Sequence, residues 1–434
     1  MADTTEGVAL PDSPVGRHVA WFLAHSATRG AGLTEVEVAQ HMSFPPPWTP
    51  QEELDRFKTA DDRPAVVFRV RVISPRDLEV GLDYGDDRPW SVAFTVEPTE
   101  PHRIVRMFWT RAIAEDIVIR PAEAGDGPGL NDLEIRAPMQ LGQTTLTYDR
   151  GDDFLAFGRL MGDNVCFVAA RDGQLLGLAC GTSHLTRIGG RDYRVMLLHH
   201  LRVPVEHRKG GIFSTLNGQV FAAFDRRSDG AYGYTALDNA EGMRIGGPGT
   251  WSVTVLRCLL DCRQLAGPSS GRPATAADVD TVVDILNRSH RDEEMYLPYT
   301  TESFAERMAR APDLYTWERV LVGEDAVVGV WPSGLVVPAD GDGPTRSVRA
   351  VALDHGFVPG PAGESEFERL LRSSCTRLLD QGHTELMVLT AEGARSQKVV
   401  TGLARRVDPY SLRMAVPEPP GTAVRGLYVD AVYF

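Results

Sequence analysis

Apolar and polar residues alternate along residues 66–72 (VVFRVRV), 78–82, 90–96 and 104–109. Side chains of an extended chain point alternately to opposite faces, so these segments predict a half-buried antiparallel sheet. Ahead of them, Val19, Phe22 and Leu23 share one stripe of a helix expected over residues 16–26, and a second helix is expected over 33–42 after Gly30-Ala31-Gly32. Helices followed by strands predict an α+β domain over residues 1–115.

Beyond residue 115 the pattern repeats itself. Arg120-Pro121-Ala122 with Asp126 recurs 152 residues later as Arg272-Pro273-Ala274 with Asp278, each copy opening a strand and then a helix. In FVAARDGQLLGLA two apolar runs flank Asp172-Gly173, the signal of a tight hairpin. At the same offset Gly177 falls on Gly329, Leu201 on Leu353 and Leu237 on Leu389. The expectation is a multidomain α+β chain: a first domain over 1–115, then two copies of one fold over 116–267 and 268–434.

Composition narrows the partners. A net charge of −14 and a pI near 5.3 argue against nucleic acid, whose phosphates need clustered cations. No apolar run approaches the roughly 18–20 residues that span a bilayer, and MADTTEGVALPDSP lacks the basic-then-apolar run of a secretion signal, so the cytoplasm is expected. The cysteines, Cys166, Cys180, Cys258, Cys262 and Cys375, are five in number and sparse, and no His or second Cys pair stands beside Cys258 and Cys262 at zinc-site spacing. Buried free thiols are expected, and no metal.

The chemistry concentrates in YRVMLLHHLRVPVEHRKGGIFSTLNGQVFAAF, residues 193–224. An apolar strand ends near Val203, a loop carries Arg208-Lys209-Gly210-Gly211, and a helix follows with Phe213, Leu216, Val220 and Phe224 on one face. Unpaired N–H groups and the dipole of a helix start attract anions, and glycines let a phosphate approach the backbone. Two cations beside such a loop stand out in so acidic a protein.

This stretch resembles the acyl-CoA-binding signature of the GCN5-related N-acetyltransferases, in which an Arg or Gln, a Gly and a small residue are spaced as Arg208, Gly211 and Phe213 are here. Phe213 departs from the small residue. The resemblance extends to the opening strand and helix at Ile119, the hairpin at Asp172-Gly173 and a fifth strand ending at Leu237-Asp238-Asn239-Ala240. It implies acetyl-CoA or another acyl-CoA as cofactor, held by Leu201, Arg202, Val203, Arg208, Lys209, Gly210, Gly211, Ile212, Phe213 and Asn239, with the pantetheine entering where strands four and five splay apart. Residues 1–115, through WSVAFTVEPTEPHRI, resemble the cone-shaped ketosteroid-isomerase-like (NTF2-like) domains, which implies binding or packing.

Acyl transfer needs a base to free the attacking amine. His199 or His200 on the strand meets that need, with strand alternation placing the two on opposite faces, and Glu206 is the alternative. The family's tyrosine acid has no counterpart in DNAEGMRIGGPGTW, and Tyr148, Tyr232 and Tyr234 leave that role unassigned. The connector over 147–161, with Asp149, Asp152 and Asp153, lies where the family shapes its acceptor pocket. In the second copy the loop becomes Gly360-Pro361-Ala362-Gly363-Glu364-Ser365, without cations, and Tyr296, Tyr299, Trp317 and His355 are expected in core or interface. The reading is an N-acyltransferase acting on the amine of a small molecule by direct attack, in a chain that can self-associate. The alternative is a non-catalytic acyl-CoA or metabolite sensor or scaffold.

Overall fold

A computed structural model describes residues 8–44, 49–59, 64–85, 89–141, 144–151, 153–208, 210–224, 227–237, 251–338, 347–416 and 426–430. The chain divides into two compact units, Met1–Ile119 with Val205–Gln219, and Arg120–Pro204 with Val220–Phe434.

In the first unit, helices α1 (Pro14–Ser26), α2 (Glu35–His41) and α3 (Pro50–Thr59) precede strands β1 (Val66–Ser74), β2 (Asp77–Asp83), β3 (Trp90–Val96) and β4 (Ile104–Arg111), which pair antiparallel in that order. Ser13 caps α1 by accepting from the Gly16 amide, and Val15, Val19 and Phe22 pack against Val80, Val92 and Phe94. The anticipated helices and strands are all present. Helix α3 was not anticipated, because only Leu54 and Phe57 give it an apolar stripe; its signal was the reciprocal Thr49–Glu52 cap with Pro50 in the first turn.

The rest of the chain forms β5 (Val118–Pro121), α4 (Gly127–Arg136), β6 (Met139–Leu141), β7 (Thr144–Asp149), α5 (Ala156–Met161), β8 (Asp163–Arg171), β9 (Gln174–Ile188), β10 (Arg191–Arg202), α6 (Ile212–Phe224), β11 (Gly230–Ala236) and β12 (Trp251–Asp261). Then come α7 (Cys262–Leu265), β13 (Arg272–Pro273), α8 (Val279–His290), α9 (Thr301–Ala309), β14 (Val320–Val322), β15 (Ala326–Pro338), β16 (Ser347–Phe357), α10 (Pro361–Asp380), β17 (Glu385–Ala391), α11 (Gln397–Leu403) and β18 (Arg406–Ala415). Their strands build one mixed sheet in the order β13-β14-β15-β16-β17-β12-β18-β11-β10-β9-β8-β5, with β7 joined to β15 and β6 to β7.

The same run of pairings occurs twice. Arg120 forks onto Asp126 at 2.7 and 2.9 Å, and Arg272 forks onto Asp278 in the same way. Val195–Leu197 run parallel to Gly230–Tyr232, as Arg349–Val351 run parallel to Glu385–Met387. The constant offset of 152 holds only at this opening, however. These pairs place Val195 with Arg349, an offset of 154, so the counterpart of Leu201 is His355 rather than Leu353, and that of Gly329 is Cys180 rather than Gly177. Loops of unequal length shift the register between strands whose pairing is kept.

Two strands of this sheet exchange places. β12 follows β11 in sequence yet pairs with β17, and β18 follows β17 yet pairs with β11, while β12 and β18 pair with each other at the centre. There the fully buried Arg257 faces Asp408 directly across the ladder and donates to it at 2.8 Å. All five cysteines are buried.

Candidate functional site

After Leu197 and Tyr232, strands β10 and β11 part: β10 runs on to Arg202 beside β9, and β11 runs on to Ala236 beside β18. At the parting β10 bulges. His199 lies opposite Cys180 but Arg202 lies opposite Leu178, so His200 and Leu201 are squeezed in, and His200 takes φ 49°. The bulge ends the strict alternation expected from the sequence. Instead of facing away from each other, His199 and His200 meet edge to face with their Nδ1 atoms 3.0 Å apart, and both are buried.

Polar groups continue the pair at both ends. Thr182 Oγ1 on β9 is 3.0 Å from His199 Nε2, and it accepts from Asn164 Nδ2 at 2.7 Å. On the other side His200 Nε2 is 3.8 Å from Oε1 of Glu134, a fully buried carboxylate on α4 whose Oε2 accepts from Arg202 Nε at 2.9 Å. Phe154 lies edge-on against His200. Burial, reinforced by the charge of Arg150, holds both imidazoles well below the usual histidine range, which favours the neutral form of each.

The loop before α6 belongs to the first unit. Val205–His207 make a 3-10 turn with Glu206 exposed; the Arg208 amide donates to Val205 and that of Gly210 to His207. Gly211 has φ 80°, and a Cβ there would lie 2.1 Å from the Arg111 carbonyl oxygen of β4. The structure thus gives this glycine a local reason: it lets two backbones meet. Ile212 is buried at the start of α6, Phe213 is 37% exposed, Leu201 and Arg202 are half-buried and Val203 is buried. Lys209 and Asn239 lie outside the described residues.

In the second unit a cavity of about 270 Å³ opens between two aromatic walls. One is Tyr232 and Tyr234 of β11 with His184 of β9, whose Nε2 is 3.3 Å from the Tyr232 hydroxyl; the other is Tyr296, Tyr299 and Tyr428, with ring centroids 5.1 to 6.0 Å apart. Desolvation, then the charges of Arg307 and Arg194, push His184 down to about 3, and burial raises Tyr234. Arg194, Arg310 and Asp163 add charge to the lining. Of the residues expected in core or interface, Tyr296 and Tyr299 line this cavity, whereas His355 stacks on Phe367 and Trp317 packs on Phe304. Of the acidic connector, Met161 reaches the cavity, Asp153 pairs with Arg159, and Asp152 lies outside the described residues.

The bulge has a counterpart in β16, where Leu353 faces Gly329 and Gly356 faces Val327, with Asp354 at φ 42° between them. Asp354 is buried and accepts from Arg307 Nε at 2.9 Å and from the Tyr299 and Tyr315 hydroxyls at 3.0 Å each; Arg307 also bonds Asp430. Gly360 caps α10, and Glu364 in its first turn pairs with Lys398. Among the described residues no cluster of His, Cys, Asp and Glu could hold a metal ion, and no helix is long and apolar enough to cross a membrane. Sequence reasoning missed Asn164, Thr182 and Glu134, polar residues scattered over three elements that only the sheet and α4 bring together.

No family profile and no curated protein matches the chain. Solved structures do. N-myristoyltransferase of Saccharomyces cerevisiae with bound myristoyl-CoA is 8% identical, with a TM-score of 0.53 over 86% of this chain and 95% of that one. The same enzyme with myristoyl-CoA and inhibitors is 9% identical, with a TM-score of 0.52 over 74% and 85%. A GCN5-related N-acetyltransferase from Sphaerobacter thermophilus is 12% identical, with a TM-score of 0.44 over 74% and 100%. The fold is that of the acyl-CoA N-acyltransferases.

Proposed function

We propose that this protein transfers an acyl group, most simply acetyl, from coenzyme A to the amine of a small molecule, and that its sheet carries two copies of the N-acyltransferase fold. The observation that carries the reading is the parting of β10 from β11 beyond Leu197 and Tyr232, where the one runs on beside β9 and the other beside β18. An extended thioester arm can lie between strands that part in this way, as an added strand would. Leu201, Arg202 and Val203 would serve the arm. Arg208, Lys209 and the amides of Gly210, Gly211, Ile212 and Phe213 would serve the diphosphate, with Asn239 beyond strand β11.

The amine would be freed by His199 and His200 acting as a pair, or by the exposed Glu206. The tyrosine-walled cavity is the acceptor's place in this reading: ring faces attract ammonium groups and stack on planar ones. The second copy, with Glu364 near the start of α10, would contribute architecture rather than a cofactor site. Residues 1–115 would act as a ketosteroid-isomerase-like binding or packing domain.

Calorimetry with acetyl-CoA, followed by thiol release across a panel of amines, tests the proposal. A protein that binds no acyl-CoA would end it. Filling the cavity by Leu297→Trp should abolish turnover while acetyl-CoA binding persists. One feature favours a sensor that binds acyl-CoA without turning it over: Phe213 stands 37% exposed where a small residue is usual. Binding without thiol release from any amine would support that reading.

A further inference from the structure

The hydrogen bonds around the β10 bulge favour one direction. Asn164 Nδ2 donates to the Gly181 carbonyl at 3.4 Å, which fixes the amide nitrogen on that side, and to Thr182 Oγ1 at 2.7 Å. Thr182 accepts from Asn164, which leaves its own proton for His199 Nε2, 3.0 Å away. A neutral His199 then carries its proton on Nδ1 and donates it to His200 Nδ1 at 3.0 Å. His200, neutral in turn, carries its proton on Nε2, facing Glu134 Oε1 at 3.8 Å. The opposite direction would aim an imidazole lone pair at a buried carboxylate.

Glu134 is built for this end of the chain. It is wholly buried, Arg202 bonds its Oε2, and its Oε1 has no hydrogen-bond partner among the described residues. The other charged or titratable groups facing the pair are Arg150, Arg202 and the thiol of Cys180 across the ladder. In the second copy, α8 carries Leu286 where the opening Arg–Asp forks align Glu134 of α4, so the carboxylate belongs to the first copy alone.

We propose that Glu134 and Thr182 are positioning residues that fix one tautomer on each histidine, His199 protonated at Nδ1 and His200 at Nε2, and that any proton the pair takes up is answered by Glu134. This rests on the reading of the pair as the amine's base. Both nitrogens of His199 and Nδ1 of His200 are held in hydrogen bonds, and His200 Nε2 faces Glu134 Oε1 at 3.8 Å, so the pair gains basicity through the carboxylate at its end.

Long-range proton–nitrogen NMR of the full chain labelled with ¹⁵N-histidine reads the tautomers without requiring activity. The expected spectrum shows a protonated Nδ1 on His199 and a protonated Nε2 on His200. Thr182→Val should move the His199 proton toward Nε2, whereas Thr182→Ser should preserve the pattern. Glu134→Gln should lower thiol release with the best amine by tenfold or more and move its pH profile, leaving the acetyl-CoA dissociation constant within twofold. Reversed tautomers, or a Glu134→Gln protein with unaltered tautomers and pH profile, overturn the proposal. If Glu134→Gln does not fold, the Thr182 pair decides by itself. A folded wild type without any transferase activity would refute the functional reading of the histidines, while the nitrogen spectrum would still decide whether Glu134 and Thr182 set the tautomers.

Discussion

Asp354 occupies in β16 the place that His200 occupies in β10: both sit in a bulge, both take left-handed backbone angles, and both are buried. Few side chains tolerate that conformation, so each needs neighbours that hold it there. For Asp354 these are Arg307, Tyr299 and Tyr315. Asp354→Ala would leave Arg307 half-paired and two hydroxyls without their acceptor, and should cost about 3–5 kcal/mol in urea unfolding. Asp354→Asn should cost less, since the amide oxygen still accepts.

Gly211 is a steric requirement of the first unit. Gly211→Ala should destabilise by at least about 2 kcal/mol, because the methyl would strike the Arg111 carbonyl at a backbone angle that alanine resists. Gly210→Ala, whose nearest obstacle is the His207 carbonyl at 3.2 Å, is the matched control and should cost under about 1 kcal/mol. Equal losses in thermal melts would contradict this account.

Cofactor binding should be one-sided. Arg208→Glu should remove the rise in melting temperature produced by acetyl-CoA, while Gly360→Glu should keep it. The latter will lower the starting temperature, since Gly360 has φ 139°, so the quantity to compare is the ligand-induced increment.

Acid should loosen the fold before its carboxylates titrate. Burial holds His199 and His200 well below the usual range and His355 at about 4, whereas in the unfolded chain each titrates near 6.5. As pH falls below about 6.5 the unfolded chain takes up protons that the folded chain refuses. Stability therefore drops, by up to about 1.4 kcal/mol per pH unit for each such group, until the folded value is passed. Arg120 depresses Asp126 by its hydrogen bonds, which adds a loss only below about pH 4. Urea midpoints should fall between pH 7 and 5, less steeply in His355→Asn; a flat profile would count against neutral buried histidines.

Periodicity revealed the strands of the first unit because alternation marks an extended chain, although in β1 the apolar Val66, Phe68 and Val72 are exposed, and it missed α3, whose amphipathic stripe rests on Leu54 and Phe57. The recurrence of the Arg120–Asp126 fork at Arg272 and Asp278 was legible because each fork is local in sequence. The crossover of β12 and β18 was not, since which strand lies beside β11 depends on contacts nearly 180 residues apart. His199 and His200 drew notice as a doublet, yet a bulge decides where their rings point, and a bulge leaves no mark on composition. Glu134 reads as an ordinary helical acid until the Arg202 side chain and the sheet close over it.

The exchange of β12 and β18 also governs the order of events on the ribosome. Until residues 406–415 have left the exit tunnel, β11 has an open edge, so translation of the whole second half must precede closure of the first. Severing the backbone between α7 and β13 would leave two fragments, each lacking the strand that seals it, and soluble product should emerge only when both are made in the same cell.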